Sequence, residues 1–429
     1  MALLDLAEAV DHVLAACVPL DPVRWPLREA LGCTTAEAVV ATEQVPTFDN
    51  SAMDGYAVRA VDVATATDQA PVRLAVVDTT MAGMGPSAAS VGVGQAVKIM
   101  TGAPMPAGAD AVVMVERTTP AVDEAGARAV DVLSAVETGA SVRRAGDDVR
   151  PGDRVVDPGE VLRPAHLGVL AGLGVASVLV RPRPRVGVFS TGDELVDGPW
   201  PLGPGQIRDT NRITLCALLE RDGFEPVDLG RILDDAGAIE AAIRGGARRC
   251  DALVSSGGVS MGDADLVKVV LDRIGDMRWM QIAIKPAKPF AFGTVAVAAG
   301  RGTASAPRLV PVFGLPGNPV SSAVSYELLA RPGLRKMAGL ADEDLRRRSE
   351  RAVALDGLGR RPDGKTHFAR VSLRRRADGT AEVWPSGGQG SHQLSALTAA
   401  DALAVLPDGD GVAAGDPVEV LVLFADRSR

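Results

Sequence analysis

The stretch Ala252-Leu253-Val254-Ser255-Ser256-Gly257-Gly258-Val259-Ser260-Met261-Gly262-Asp263-Ala264-Asp265 passes directly from an apolar run into a polar, glycine-bearing turn. Two further stretches repeat the pattern. Val186-Gly187-Val188-Phe189 runs into Ser190-Thr191-Gly192-Asp193-Glu194-Leu195, and Val310-Pro311-Val312-Phe313 runs into Gly314-Leu315-Pro316-Gly317-Asn318-Pro319. Each reads as a buried strand opening into a loop, and the last two loops lead into helices. In an open parallel sheet such loops line up at the carboxyl ends of the strands, where ligands bind. The pattern predicts one site built from three loops between Arg185 and Arg335.

Around these loops the chain alternates strand, loop and helix. A helix follows Asp209-Thr210-Asn211 to about Arg221, a strand covers 224–229, and the turn Leu233-Asp234-Asp235 precedes a helix over 238–245. This alternation argues a mostly parallel sheet with helices on both faces. Upstream, Arg181-Pro182-Arg183-Pro184 reads as a stiff boundary. An amphipathic helix is expected over 3–17, a dense polar loop at Pro46-Thr47-Phe48-Asp49-Asn50-Ser51-Ala52-Met53-Asp54-Gly55-Tyr56, and a strand-rich region over 57–135. The strands flanking that region are expected to pair, which makes it an insertion. Downstream of Leu340, short strands near 368–373, 381–384, 402–406 and 418–424 suggest a small all-β domain or barrel. The expected fold is multidomain α/β. Residues 1–45 with 143–180 form an elongated linking region, and 46–142 an inserted β-rich domain. Residues 181–336 form a central three-layer α/β/α domain, and 337–429 a C-terminal β-barrel-like domain.

Composition narrows the function. The chain has 429 residues, 47% of them hydrophobic but only 3% aromatic, so its cores rest on Val, Leu and Ala. A formal charge of -9 argues against a general attraction to nucleic acid or acidic membranes. Cys17, Cys33, Cys216 and Cys250 form no CxxC pair, and the histidines show no HExxH spacing, so neither a disulfide framework nor a Cys/His zinc site is expected. With Asp5 and Glu8 near its start and no apolar tract of membrane length, the chain reads as a cytoplasmic protein.

The loops suggest anion chemistry. Gly257 and Gly258 let the backbone approach a ligand, Ser255, Ser256 and Ser260 add donors, and the next helix offers free N–H groups. The loop matches neither GxxxxGK[ST] nor GxGxxG. Pro316 and Pro319 stiffen the turn around Gly317 and Asn318, giving a second wall. Glu194, Asp234 and Asp265 beside anion loops call for a divalent cation, and oxygen-only ligands suit Mg2+. Lys285 and Lys288, in Ile284-Lys285-Pro286-Ala287-Lys288-Pro289-Phe290, are expected near the same sheet edge, to hold a phosphate or oxyanion.

Taken together and in order, FDNSAMDGYAV, MTGAPMPAGADAVV, STGDEL, DTN, SSGGVSMGDAD, IKPAKPFAFG and FGLPGNPVSSAVSYE resemble the MoeA-type molybdopterin molybdenumtransferases, a family that includes the E domain of gephyrin. The resemblance implies insertion of molybdenum from molybdate into adenylylated molybdopterin, with Mg2+, release of AMP and formation of molybdenum cofactor. It also implies a homodimer whose site is shared between subunits, with Asp54, Thr101 and Asp148 donated across the dimer. Glu194, Asp234 and Asp265 would handle metal and molybdate, with Lys285 the basic anchor. Pro316 and Pro319 would wall the pterin pocket, and Ser391 would lie near its entrance. A molybdopterin adenylyltransferase and molybdoenzyme acceptors would be partners. Some relatives are expected to carry lysine where this chain has Gln281, and glycine where it has Ala287. A non-catalytic molybdopterin-binding scaffold or carrier, and a molybdopterin adenylyltransferase, are the alternatives.

Overall fold

Successive side chains of a strand point to opposite faces, and the central strands use both. In the computed structural model, which describes residues 3–259, 266–298 and 307–424, Val186, Val188, Ala252, Val254, Phe313 and Leu315 enter one apolar core. Phe189, Leu253, Val310 and Val312 enter another. The first core is closed by the helices Leu6–Ala16 and Asn211–Arg221 and by the helical run starting at Pro319–Ser325; the second is closed by Ala236–Arg249 and Leu266–Ile274. Three layers result, as the apolar runs required.

Contacts divide the chain into two units, one of Met1–Glu37, Pro158–Leu162 and Val178–Arg429, the other of Ala38–Asp157 and Arg163–Ser177. In the first, the central sheet has the order Glu225–Ile232, Arg185–Thr191, Ala252–Ser256, Arg308–Leu315, Pro289–Val297, Gly275–Gln281. The first four strands are parallel, with Val186 opposite Ala252 and Leu253 opposite Val312; the last two are antiparallel. Their four carboxyl ends, at Thr191, Ile232, Ser256 and Leu315, therefore lie along one edge. The C-terminal part of this unit is a closed barrel. Strands Thr366–Arg375, Ala381–Pro385, Ser349–Ala354, Pro417–Val422 and Ala402–Leu406 follow one another around it, and the last pairs back with the first. Ala352, Ala354, Ala402 and Ala404 fill much of its core. Ile284–Lys285 pairs with Thr366–His367 of the barrel.

The second unit holds a six-stranded sheet in the order Ala111–Met114, Gly55–Val58, Gln95–Ile99, Val72–Thr80, Arg128–Val132, Thr118–Val122. The segments entering and leaving it pair antiparallel, Val39–Val40 with Arg154–Val156 and Asn50–Ser51 with Val142–Arg143. Among the described residues no helix is long and apolar enough to cross a membrane.

One buried ionic network joins the central helices to the chain entering the barrel. Asp222 and Glu327, both almost fully buried, sit among Arg221, Arg331 and Arg347. Arg221 lies 2.8 Å from Asp222 and 2.7 Å from Glu327; Arg347 lies 2.8 Å and 2.7 Å from the same two acids. The Tyr326 hydroxyl donates to Asp222 at 2.9 Å, from a π-helical turn, Tyr326–Ala330, within the helical run 319–337. Burial alone would raise the Asp222 pKa, but the Arg221 hydrogen bond and the charges of Arg347, Arg221 and Arg331 outweigh it and hold it below the ordinary carboxylate value. Removing one member of a buried ionic group leaves the others uncompensated. Asp222→Ala should therefore destabilise the protein by about 3–5 kcal/mol, read as a lower urea midpoint. An unchanged midpoint would show that the arginines are satisfied without this carboxylate.

Candidate functional site

The carboxyl-end loops enclose a cavity of about 540 Å3. Its walls include Glu194, Asp234, Ser256, Gly257, Gly258, Gly317 and Pro319, so all three glycine-bearing loops contribute, together with the turn after Ile232. Gly257 and Gly258 have φ of +89° and +71°, where a side chain is strained. A Cβ on Gly258 would also lie 2.4 Å from Val267. Glycine here is thus required by the turn and by packing as well as by approach to a ligand.

Asn211 ties the loops together. Its side-chain amide donates to the Ser256 hydroxyl and to the Gly317 carbonyl, both at 2.7 Å. Its own position is fixed by the first turn of its helix. Asp209, buried, accepts from the Arg212 backbone at 3.2 Å and from its guanidinium at 3.0 Å. Arg212 also pairs with Asp197 and Asp228, and Ser190 donates to Asp209. Burial would lower the Arg212 pKa, but hydrogen bonds to Asp228 and Asp209 more than reverse this and raise it. Asp235 caps the helix Ala236–Arg249 by accepting from Ala238 at 2.7 Å, while the neighbouring Asp234 lines the cavity. Glu194 folds back over Gly192, where a Cβ would lie 2.5 Å from its carboxylate.

Lys285 and Lys288 do not line this cavity. They line a second one of about 880 Å3, with Arg360, Arg361, Lys365, Asp363 and Ser391. Both lysines lie near the same edge, since Asn318 lines their cavity too, but they open into a cavity separate from that of the glycine loops. The segment carrying Lys285 pairs with the barrel, and this draws both side chains to the barrel side. Asp363 accepts from Arg360 at 2.9 Å and Lys365 at 3.0 Å, leaving the cavity strongly positive. The Ser391 carbonyl accepts from Val320 at 3.0 Å, tying the barrel loop to the helix start. Asn318 lines this second cavity and Pro319 the first, so the Gly317-Asn318-Pro319 turn borders both. Pro316 is buried behind it.

Asp54, Thr101 and Asp148 belong to the other unit. There the Asp54 carboxylate accepts from the Thr101 backbone at 2.7 Å and from its hydroxyl at 2.8 Å, which lowers the Asp54 pKa. Ser260 and Asp265 lie outside the described residues. Among the described residues no three His, Cys, Asp or Glu side chains are grouped to hold a metal ion. Gln281 gives its carbonyl to the Leu4 backbone at 2.8 Å and lines neither cavity.

The sequence motif DTN marked a helix start without revealing that Asn211 bridges two loops. Asn211→Ala should speed amide exchange in the loops at Gly257–Val259 and Gly317–Val320 by roughly ten- to a hundredfold, from two lost hydrogen bonds of about 1 kcal/mol each. The global unfolding midpoint should change little. Unaltered exchange in both loops would remove Asn211 from this role.

Comparison with known proteins bears on the family and the fold. Residues 4–174 match the MoeA N-terminal region (domain I and II), 187–336 the "Probable molybdopterin binding domain", and 355–423 the MoeA C-terminal region (domain IV). A molybdopterin molybdenumtransferase of Haemophilus influenzae is 39% identical, with 92% of each chain covered. Molybdopterin molybdenumtransferase 2 of Mycobacterium tuberculosis is also 39% identical, over 96% of this chain and 97% of that one. The crystal structure of the molybdopterin biosynthesis MoeA protein from Pyrococcus horikoshii superposes with a TM-score of 0.73 at 30% identity, covering 98% of this chain and 99% of the other. Matched from its N-terminal region through its barrel, this chain belongs to the MoeA-type molybdopterin molybdenumtransferase family.

Proposed function

We propose that the protein inserts molybdenum from molybdate into adenylylated molybdopterin, with Mg2+-dependent hydrolysis of the adenylate and release of AMP and molybdenum cofactor. The observation that carries the reading is the pairing of two cavities along one turn. One presents Glu194 and Asp234 beside glycine loops, and the other presents five cationic side chains (Lys285, Lys288, Arg360, Arg361 and Lys365) against Asp363. Such a pair suits a substrate with a pyrophosphate at one place and an oxyanion at another.

Each residue has a definable task in this reading. The Ser256 oxygen accepts from Asn211, so its own hydrogen is available to donate to a substrate oxygen. The lysines and arginines of the second cavity hold molybdate or a terminal phosphate by charge-assisted hydrogen bonds. Glu194 and Asp234 are oxygen donors on one wall, a set that fits Mg2+ retaining several waters, and they are the side chains that would hold it. Bound there, such an ion supplies polarisation of a phosphoryl oxygen. No serine or cysteine nucleophile is required. Asp54, with Thr101 and Asp148, would complete the site from a second copy of the chain in a homodimer, which light scattering on the purified protein tests directly.

The central experiment is chromatographic measurement of AMP released from adenylylated molybdopterin. Release should require molybdate and stop when Mg2+ is chelated. Glu194→Gln and Asp234→Asn should each lower turnover by roughly a hundredfold, the scale of losing one preorganised electrostatic group, with unfolding midpoints retained. Lys285→Ala should raise the molybdate concentration for half-maximal rate by about tenfold or more, from the loss of a charged hydrogen bond. Tight substrate binding with no AMP release would instead mark a carrier or scaffold.

A further inference from the structure

A third cavity, of about 340 Å3, lies apart from both substrate cavities, and its walls carry Arg181, Arg183, Arg221, Arg335 and one carboxylate, Asp222. Asp222 is already shared by Arg221, Arg331 and Arg347. Arg181 donates to the Leu20 carbonyl and Arg335 to the Asp344 carbonyl, and neither they nor Arg183 pairs with a carboxylate among the described residues. The helices Asn211–Arg221 and Arg331–Met337 end at this cavity, and each C-terminus counts as roughly half a negative charge. That offers a purely structural use for two of the arginines. It does not use them all. With the connected network included, six guanidinium groups (Arg181, Arg183, Arg221, Arg331, Arg335 and Arg347) against Asp222, Glu327 and two helix ends leave an excess of about three positive charges. The strain shows in neighbouring groups. Burial, reinforced by the charge of Arg347, takes Arg331 down to about 10, and burial also lowers Arg335. Asp344 is near enough to act on Arg335, in the stabilising direction, without reversing that shift.

We infer that this cavity binds a tetrahedral oxyanion carrying two negative charges, gripped by guanidinium forks. Arginine suits this ligand because its planar donors match two oxygens at once. Phosphate-type groups and molybdate share that chemistry, so the probes distinguish the source. The site is independent of the proposed reaction, because none of its residues lines the glycine-loop cavity or the lysine cavity.

The test is calorimetric titration of the full-length protein with inorganic phosphate and, separately, with molybdate. It compares the wild type with Lys285→Ala, which weakens anion binding in the lysine cavity, and with Arg183→Ala. Arg183 is exposed and outside the Asp222 network, so this change leaves the buried network intact. The expected result is a saturable site that survives Lys285→Ala and weakens at least tenfold in Arg183→Ala. Arg183→Lys, which keeps the charge but loses the fork, should show an intermediate loss. Preference for phosphate would assign a phosphate-bearing ligand, and preference for molybdate a second place for the cargo; either supports the site. A crystal soaked in molybdate should show anomalous density between Arg181, Arg183 and Arg335. Anion binding unchanged by Arg183→Ala overturns the proposal, as does no density there if titration shows molybdate to bind.

Discussion

The two hydrogen bonds of Asn211 hold the glycine-loop edge together. Parallel strands deliver their loops to a common edge, and the sheet's own ladder reaches only as far as the Gly257 N–H, which donates to the Leu315 carbonyl at 3.0 Å. A primary amide has two hydrogens, and here one goes to Ser256 and the other to Gly317. The donor is rigid because it sits in the first turn of a helix whose next residue, Arg212, is anchored by Asp197, Asp209 and Asp228. The order of dependence runs from that ionic cluster to the helix start, from the helix start to the amide, and from the amide to both glycine loops. A Cβ on Gly317 would meet the Gly257 Cα at 3.9 Å, an ordinary contact, so the two loops are neighbours without being pressed together.

The second constraint is separation of charge. Carboxylates and ammonium groups in one open cavity would pair with each other and leave little field for a ligand. Here the Gly317-Asn318-Pro319 turn borders two cavities, with Glu194 and Asp234 on one and Lys285 and Lys288 on the other. The lysines reach their place because the connection between two antiparallel strands leaves the central sheet and pairs with the barrel. Closure of the barrel then supplies Arg360, whose guanidinium is almost fully buried and is held by the carbonyls of Lys365, Leu406 and Pro407. The same guanidinium pairs with Asp363 at 2.9 Å and Asp408 at 2.7 Å, so the unspent positive charge facing this cavity comes chiefly from Lys285, Lys288 and Arg361.

Much of this was legible from residue order because the relevant signals are local. Apolar runs followed by glycine turns located the three loops, and their alternation with helices set the three layers. The terminal barrel follows from short strands separated by glycine-rich turns, although its first strand, Ser349–Ala354, is masked by Glu350 and Arg351. The strands Thr118–Val122 and Arg128–Val132 were hidden similarly, by Pro120 and by dilution with charge. What sequence order could not supply was non-local. The pairing of Ile284–Lys285 with a barrel strand about eighty residues later, the role of Asn211 and the buried group around Asp222 all depend on which distant segments meet. The last of these is the hardest to see, since charged residues such as Arg221, Asp222 and Glu327 carry no local signal of burial.

The two departures expected from the family's pattern have different weights once placed in the structure. Gln281 ends a strand, pairs opposite Pro289 and gives its backbone to Leu4, so its local role is one that any side chain permits. Ala287 is more constrained. Its φ is +79°, in the left-handed region that costs a residue bearing a Cβ about 1–2 kcal/mol. Yet it is almost fully buried among the residues of the main core, and burying one methyl-sized group returns roughly 0.8 kcal/mol. Glycine would relieve the backbone and leave that space unfilled, whereas alanine fills it and bears the strain. The two effects are close in size and opposite in sign. The bend between Lys285 and Lys288 can therefore be built with either residue, and alanine narrows the conformations open to the segment that carries both lysines.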